Sequence, residues 1–166
     1  MRKEIILVGI LLGMLLLPNV LAYQNEWEAS ITIKTNTNKT DIVVVGEKPD
    51  ASDGKDRYDV PKCPSPPSNY ISIWSNAGIT IPPYQRLMKD YRLHGISKTW
   101  KLYIYLDSGI SENVLMTWNR AAFKYSGYNS VSLYYNGVVV ANMLKQTSYG
   151  FVMDPYTVQQ FSIVCT

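Results

Sequence analysis

Trp100-Lys101-Leu102-Tyr103-Ile104-Tyr105-Leu106 is the stretch on which the fold turns. Its apolar residues fall at every second position, with Lys101, Tyr103 and Tyr105 between them. A period of two is the signature of a half-buried strand, because successive side chains point to opposite faces. The same rhythm recurs outward from this centre. Val114, Met116 and Trp118 repeat it, and so do Val131, Leu133 and Tyr135. Asn136-Gly137 then precedes Val138-Val139-Val140, and Asn-Gly between strand-forming runs predicts a hairpin with positive φ at both turn residues. Phe161, Ile163 and Cys165 share one parity in a last strand, which points Cys165 inward. On the N-terminal side, Ala29, Ile31 and Ile33 alternate with polar residues. The polar run Thr35 to Thr40 and then Ile42-Val43-Val44-Val45 complete an opening hairpin. Tyr84, Leu87, Met88 and Tyr91 fit two turns of helix or a short strand equally well. Short strands joined by turns predict an all-β fold, an antiparallel immunoglobulin-like sandwich with an N-terminal hairpin extension.

Composition narrows the class further. Of the 166 residues, 46% are hydrophobic, 12% aromatic and only 17% charged, with a net charge of +3. So many aromatics and so few charges exclude a disordered chain. The weak positive charge without a basic block excludes a nucleic-acid binder.

Residues 1–22 read as a secretory signal peptide. Arg2 and Lys3 precede the apolar run Ile5 to Leu17, Pro18 breaks it, and Val20-Leu21-Ala22 precedes a cleavage point before Tyr23. The run is shorter than the roughly 20 apolar residues of a membrane span, and the mature chain is expected to have no span. The organisation that follows is a hairpin over 23–46, an acidic and proline-rich linker over 47–68, and a sandwich over 69–166. The predicted location is secreted or cell-surface.

Export permits a disulfide between Cys63 and Cys165, the two cysteines of the chain. Closing that loop contributes about 4.7 kcal/mol in the chain-entropy model.

The segment Gly46-x-x-Pro49-Asp50-Ala51-Ser52-Asp53-Gly54-x-Asp56, followed by Tyr58-Asp59-Val60-Pro61, resembles a recurring piece of secreted bacterial and archaeal surface proteins. There it stands ahead of immunoglobulin-like β-sandwich modules. Asp90-Tyr91-Arg92, Trp100, Trp118, Asn142-Met143, Ser148-Tyr149-x-Phe151 and Phe161-x-Ile163 extend the resemblance over most of residues 29 to 164. It implies an extracellular module and carries no activity with it.

Asp50, Asp53, Asp56 and Asp59 are the candidate metal ligands, with Glu47 nearby. Carboxylates on a loop with a glycine suit calcium, while the same residues commonly bond to local backbone amides and shape turns. Tyr103 and Tyr105, with Tyr134 and Tyr128 near another strand, are candidate glycan-binding residues. An exposed ring offers an apolar face and a hydroxyl to a sugar; tyrosine is also an ordinary strand residue. Trp27, Trp74, Trp100 and Trp118 read as packing residues. Asn38-Lys39-Thr40 is a glycosylation sequon in the first hairpin turn.

Catalysis has little support. No nucleophile elbow, zinc-protease or phosphate-loop pattern occurs, His94 reads as a loop residue, and Asp90 with Asp107 is a pair any strand protein offers. The expected function is therefore a non-catalytic cell-surface structural or interaction protein: a surface-layer component, adhesin or appendage subunit. Its partners would be other proteins or copies of itself. Two strands alone are marginal, so the hairpin packs either on its own sandwich or on a neighbouring subunit, where it would add to an exposed strand edge. The alternative is an extracellular carbohydrate-binding module.

Overall fold

A computed structural model describes residues 26–166; the signal peptide reading lies outside the described residues. Among the described residues the chain is all-β, and eleven strands run in order: β1 (Trp27–Thr35), β2 (Thr40–Glu47), β3 (Val60–Pro61), β4 (Tyr70–Ser75), β5 (Leu87–Arg92), β6 (Lys98–Asp107), β7 (Glu112–Trp118), β8 (Val131–Tyr135), β9 (Val138–Asn142), β10 (Ser148–Met153) and β11 (Val158–Cys165). A short helix, α1 (Arg120–Lys124), stands between β7 and β8.

They form one sheet in the order β10-β7-β1-β2-β5-β4-β6-β11-β8-β9, with β3 beside β5. The sheet is mixed, not purely antiparallel, because β2 pairs β5 in parallel from Val44↔Lys89 to Glu47↔Arg92. The long excursion through β3 and β4 makes this possible, since parallel neighbours need a crossover and not a tight turn. The sheet curls until it is nearly closed and barrel-like. Where its two ends come together, Tyr135 of β8 and Phe151 of β10 each pack 4.8 Å from the ring of Phe161 on β11. Ring contacts bridge the ends where a ladder of hydrogen bonds would close a full barrel.

The alternation read from the sequence sets the core. Trp100, Leu102, Ile104 and Leu106 are fully buried, and Ile31, Ile33, Met116, Leu133 and Ile163 meet them from the other strands. Trp27 packs edge-on to Trp100 at 5.4 Å and against Phe123 of α1 at 5.6 Å. The helix starts where Asn119 accepts the Ala121 N–H at 2.9 Å, and its one buried residue, Phe123, contributes to this core. Asn136 (φ 50°) and Gly137 (φ 78°) form the expected turn between β8 and β9. The segment around Leu87 and Tyr91 is strand, not helix.

The opening hairpin exists but is not an extension. β1 lies between β2 and β7, and β2 between β1 and β5. β1 is paired on both flanks from Ile31 to Thr35 and β2 from Val44 to Glu47, and Ala29, Ile31, Val43 and Val45 are buried in the common core, so the hairpin packs on its own sheet. Gly46 explains how tightly it is set: a Cβ there would lie 2.2 Å from the Trp27 carbonyl oxygen.

The acidic, proline-rich stretch after β2 packs on the outside of the sheet. Ala51 and Tyr58 cover Val44 and Tyr91 in a small second cluster. β3 pairs with β5, and the Lys62 N–H donates to the Arg86 carbonyl at 2.8 Å.

Candidate functional site

The outer face of β4, β6, β11 and β8 carries the side chains left over once the core parity is assigned. The registers place Trp74, Tyr103 and Gln160 in one row across three strands, with Ser72, Tyr105 and Val158 in the next. A third row runs from Lys101 through Ser162 to Tyr134. The Trp74 and Tyr103 rings stack at 5.9 Å and 13°, and the Arg86 guanidinium lies 4.5 Å from the Trp74 centroid. Tyr70 and Tyr105 form a tilted pair at 5.8 Å. Trp74 is buried in this stack, whereas Tyr103 and Tyr105 are half-exposed.

Two shallow cavities open on this face. One, of about 380 Å³, is lined by Asn76, Arg92, Thr99, Lys101 and Tyr103 among others. The second, of about 370 Å³, is lined by Thr99, Tyr134, Asn136, Gln160 and Ser162 among others. Thr99 belongs to both. The result is a trough of hydroxyl, amide and cationic groups with a tyrosine at each side. Such a surface can hydrogen-bond a hydroxyl-rich ligand while a ring covers its apolar face. Tyr103 and Tyr105 were legible from strand parity; Trp74, Lys101, Gln160 and Tyr134 come beside them only through the register.

The four loop aspartates do not converge. Asp50 pairs with Arg57 at 3.0 Å, and both Asp53 oxygens accept from Lys98 at 2.7 Å. Asp56 accepts the Ser52 and Tyr58 amides at 2.6 and 2.7 Å. Asp59 is buried and accepts the Asp56 amide at 3.0 Å. Burial pushes its carboxyl up to about 6, and its Oδ1 has no hydrogen-bond partner. Among the described residues no group of three or more acidic, histidine or cysteine side chains is placed to hold a metal. Each of these carboxylates is thus engaged separately, Asp50 and Asp53 by cations and Asp56 and Asp59 by backbone amides.

Cys63 and Cys165 do not form a disulfide. Cys63 is exposed in the proline run, while Cys165 is fully buried on the inward face of β11. Parity placed Cys165 correctly; the position of Cys63 depends on how the outer segment drapes over the sheet. Burial, reinforced by the negative charge of Glu47, pushes the Cys165 thiol up to about 12. A thiol-alkylating reagent is therefore expected to label the native protein once, at Cys63, and a second time only after unfolding. Mass spectrometry of the labelled protein reads this directly, and protection of both sites without reductant would restore the disulfide.

A cluster that the sequence did not announce sits where β2 ends. Glu47 continues the inward parity of Val43 and Val45 and is fully buried. It accepts from Trp27 Nε1 at 2.7 Å and from Tyr128 Oη at 2.5 Å, and His94 Nδ1 lies 2.8 Å away. Burial and this hydrogen bond push the Tyr128 phenol well above its ordinary range. These partners stand 20, 81 and 47 residues from Glu47 in the chain, so no local motif betrays them. Their visible effect is to satisfy a carboxylate on the core face.

Asn38 is exposed in the β1–β2 turn at φ 66°, and the Thr40 hydroxyl of its sequon donates to the Ile33 carbonyl at 2.9 Å. Among the described residues no helix is long and apolar enough to cross a membrane. No protein-family profile matches the chain, and neither a curated protein nor a solved structure matches it significantly.

Proposed function

We propose that the chain is a secreted, non-catalytic interaction protein of the cell surface and that its ligand is carbohydrate. The observation that carries the ligand class is the row Trp74–Tyr103–Gln160 beside two cavities that share Thr99. A sugar ring laid on the outer face of Tyr103 would cover apolar C–H groups while Lys101, Thr99 and Gln160 meet its hydroxyls. The stack of Arg86 on Trp74 on Tyr103 holds that ring in place before any ligand arrives, so little side-chain entropy is lost on binding.

The finer architecture we infer is an immunoglobulin-like sandwich. Its support is the weakness of one joint: β4 and β5 share a single residue pair, Ser75↔Leu87. That joint divides the path into a half running β10-β7-β1-β2-β5 and a half running β4-β6-β11-β8-β9. The resemblance to secreted surface modules agrees with this division.

Co-sedimentation of the purified protein with a panel of insoluble polysaccharides tests the function. The expected result is retention on at least one of them, and about a tenfold weaker affinity for Tyr103→Ala, equivalent to roughly 1.4 kcal/mol. Tyr103→Phe should retain the part of binding that depends on the ring. Indifference of the wild type to every glycan, or equal retention of Tyr103→Ala with an unchanged melting temperature, would remove this reading.

A further inference from the structure

Asp154-Pro155-Tyr156-Thr157 joins β10 to β11. The Thr157 hydroxyl closes this corner by donating to the Asp154 carbonyl at 2.7 Å, and Tyr156 sits in it at φ 54°. Proline followed by a residue at positive φ is the order of a type II turn, whose third position normally takes glycine or asparagine. Among the described residues, the other non-glycine residues at positive φ are Asn38, Asn69 and Asn136, all of the type that tolerates this backbone. A tyrosine there costs stability, and with 63% of its surface exposed its packing offsets little of that cost. An exposed side chain held in a disfavoured backbone conformation points to a role outside the fold's own stability.

The surroundings of the ring give that role a chemistry. Tyr156 shares the outward parity of Val158, Gln160 and Ser162. The Leu106 N–H donates to the Thr157 carbonyl at 3.3 Å, which carries the β6–β11 ladder past Val158↔Tyr105 and brings Tyr156 beside Asp107. On the other flank of β6, Tyr70 is the register partner of Asp107, and its ring lies 5.8 Å from that of Tyr105. A Cβ on Gly109 would lie 3.8 Å from the Tyr156 hydroxyl oxygen, so the ring reaches from its own turn to the turn after β6. Partial desolvation raises the Tyr105 phenol, and Asp107, Tyr70 and Tyr156 add to the rise. Asp107 accepts the Asn69 N–H at 2.9 Å through Oδ2, and an ionised carboxylate has further acceptor sites for hydroxyl donors.

We propose that Tyr156, Tyr70, Tyr105 and Asp107 form a second sugar subsite, so that the ligand is a chain of uncharged sugars lying along β6 and not a single terminal sugar. This rests on the carbohydrate reading of the Tyr103 face and extends it. Outward residues on a strand recur about every 6.7 Å. Tyr103, Tyr105 and Asp107 therefore span roughly 13 Å in a line, longer than one sugar ring. The rings offer apolar faces to C–H groups at successive positions. The Asp107 carboxylate accepts from sugar hydroxyls and repels an acidic sugar.

Two substitutions at Tyr156, measured on the polysaccharide that retains the wild type in co-sedimentation, test the subsite. Asparagine suits the positive φ, so Tyr156→Asn should melt at or above the wild-type temperature, while its affinity falls about fivefold. Tyr156→Phe keeps the ring and should keep most of the binding. Soluble oligomers cut from the same polysaccharide serve as competitors. A tetramer should compete about tenfold better than a dimer, and Tyr156→Asn should lose most of that gain. Retention of the wild type on no polysaccharide would overturn this subsite and the carbohydrate reading together. The subsite alone falls if Tyr103→Ala weakens retention while Tyr156→Asn binds as the wild type does. It falls equally if dimer and tetramer compete alike, if the asparagine variant melts lower, or if only acidic polysaccharides retain the protein.

Discussion

Glu47→Ala is expected to lower the unfolding free energy by about 2–4 kcal/mol. The substitution strips the acceptor from the Trp27 indole, while the Tyr128 hydroxyl keeps the Gly95 carbonyl, 2.9 Å away, as an acceptor. A buried donor without a partner costs about 1–3 kcal/mol, and the deleted side chain leaves a cavity in addition. Trp27 is 4% exposed, so water cannot readily take the carboxylate's place. Against a total stability of roughly 5–15 kcal/mol for a domain, this is a change that denaturant unfolding monitored by tryptophan fluorescence will read clearly. Glu47→Gln, which keeps one acceptor and the side-chain volume, should lose distinctly less. A loss within about 0.5 kcal/mol for the alanine variant, the range of neutral surface changes, would show that the cluster contributes nothing net.

Acid is the second strong lever, through Glu112. This carboxylate opens β7, is 1% exposed, and is bound by Lys39 and by the Thr37 hydroxyl at 2.5 Å. Burial alone would raise its pKa, but hydrogen bonds from Lys39, Thr37, Thr35 and Ser108 outweigh burial and hold it down at about 2, against 4.5 for a free glutamate. The unfolded chain therefore binds this proton more readily than the folded one. The stabilisation is complete above about pH 4.5 and is lost as the pH falls from there toward 2. The difference corresponds to roughly 3 kcal/mol. Glu112→Gln should be less stable than wild type at neutral pH by about that amount, with a flatter acid limb. Asp59 works in the opposite direction. Its carboxyl is raised by burial from 3.8 to about 6, so its contribution favours the fold at low pH and is lost as pH rises through 4 to 6. The two windows adjoin, and Asp59→Asn isolates the Glu112 limb. Equal acid sensitivity of wild type and Glu112→Gln in melts between pH 2 and 6 would contradict the assignment.

Strand parity, and with it the content of the core, was legible in the order of the residues alone. Trp100, Leu102, Ile104, Leu106, Phe161, Ile163 and Cys165 all lie inward as their alternation dictates, because a period of two survives any arrangement that buries one face. So was the Asn136-Gly137 turn, whose geometry is local to two residues. The sequence did not announce α1, because five residues carry too little periodicity to read, and it left Leu87 to Tyr91 open between helix and strand until β4 and β2 flanked them.

Which strands become neighbours emerged with the folded sheet. Pairing β2 with β5 in parallel placed the hairpin inside the sheet. Draping residues 47–68 over the outer face parted Cys63 from Cys165 and spread the aspartates among Arg57, Lys98 and backbone amides. Glu47, Trp27, His94 and Tyr128 were brought together across separations of 20, 47 and 81 residues. Contacts between residues so far apart are chosen by the burial and pairing of whole strands together, and no local run of sequence encodes that choice.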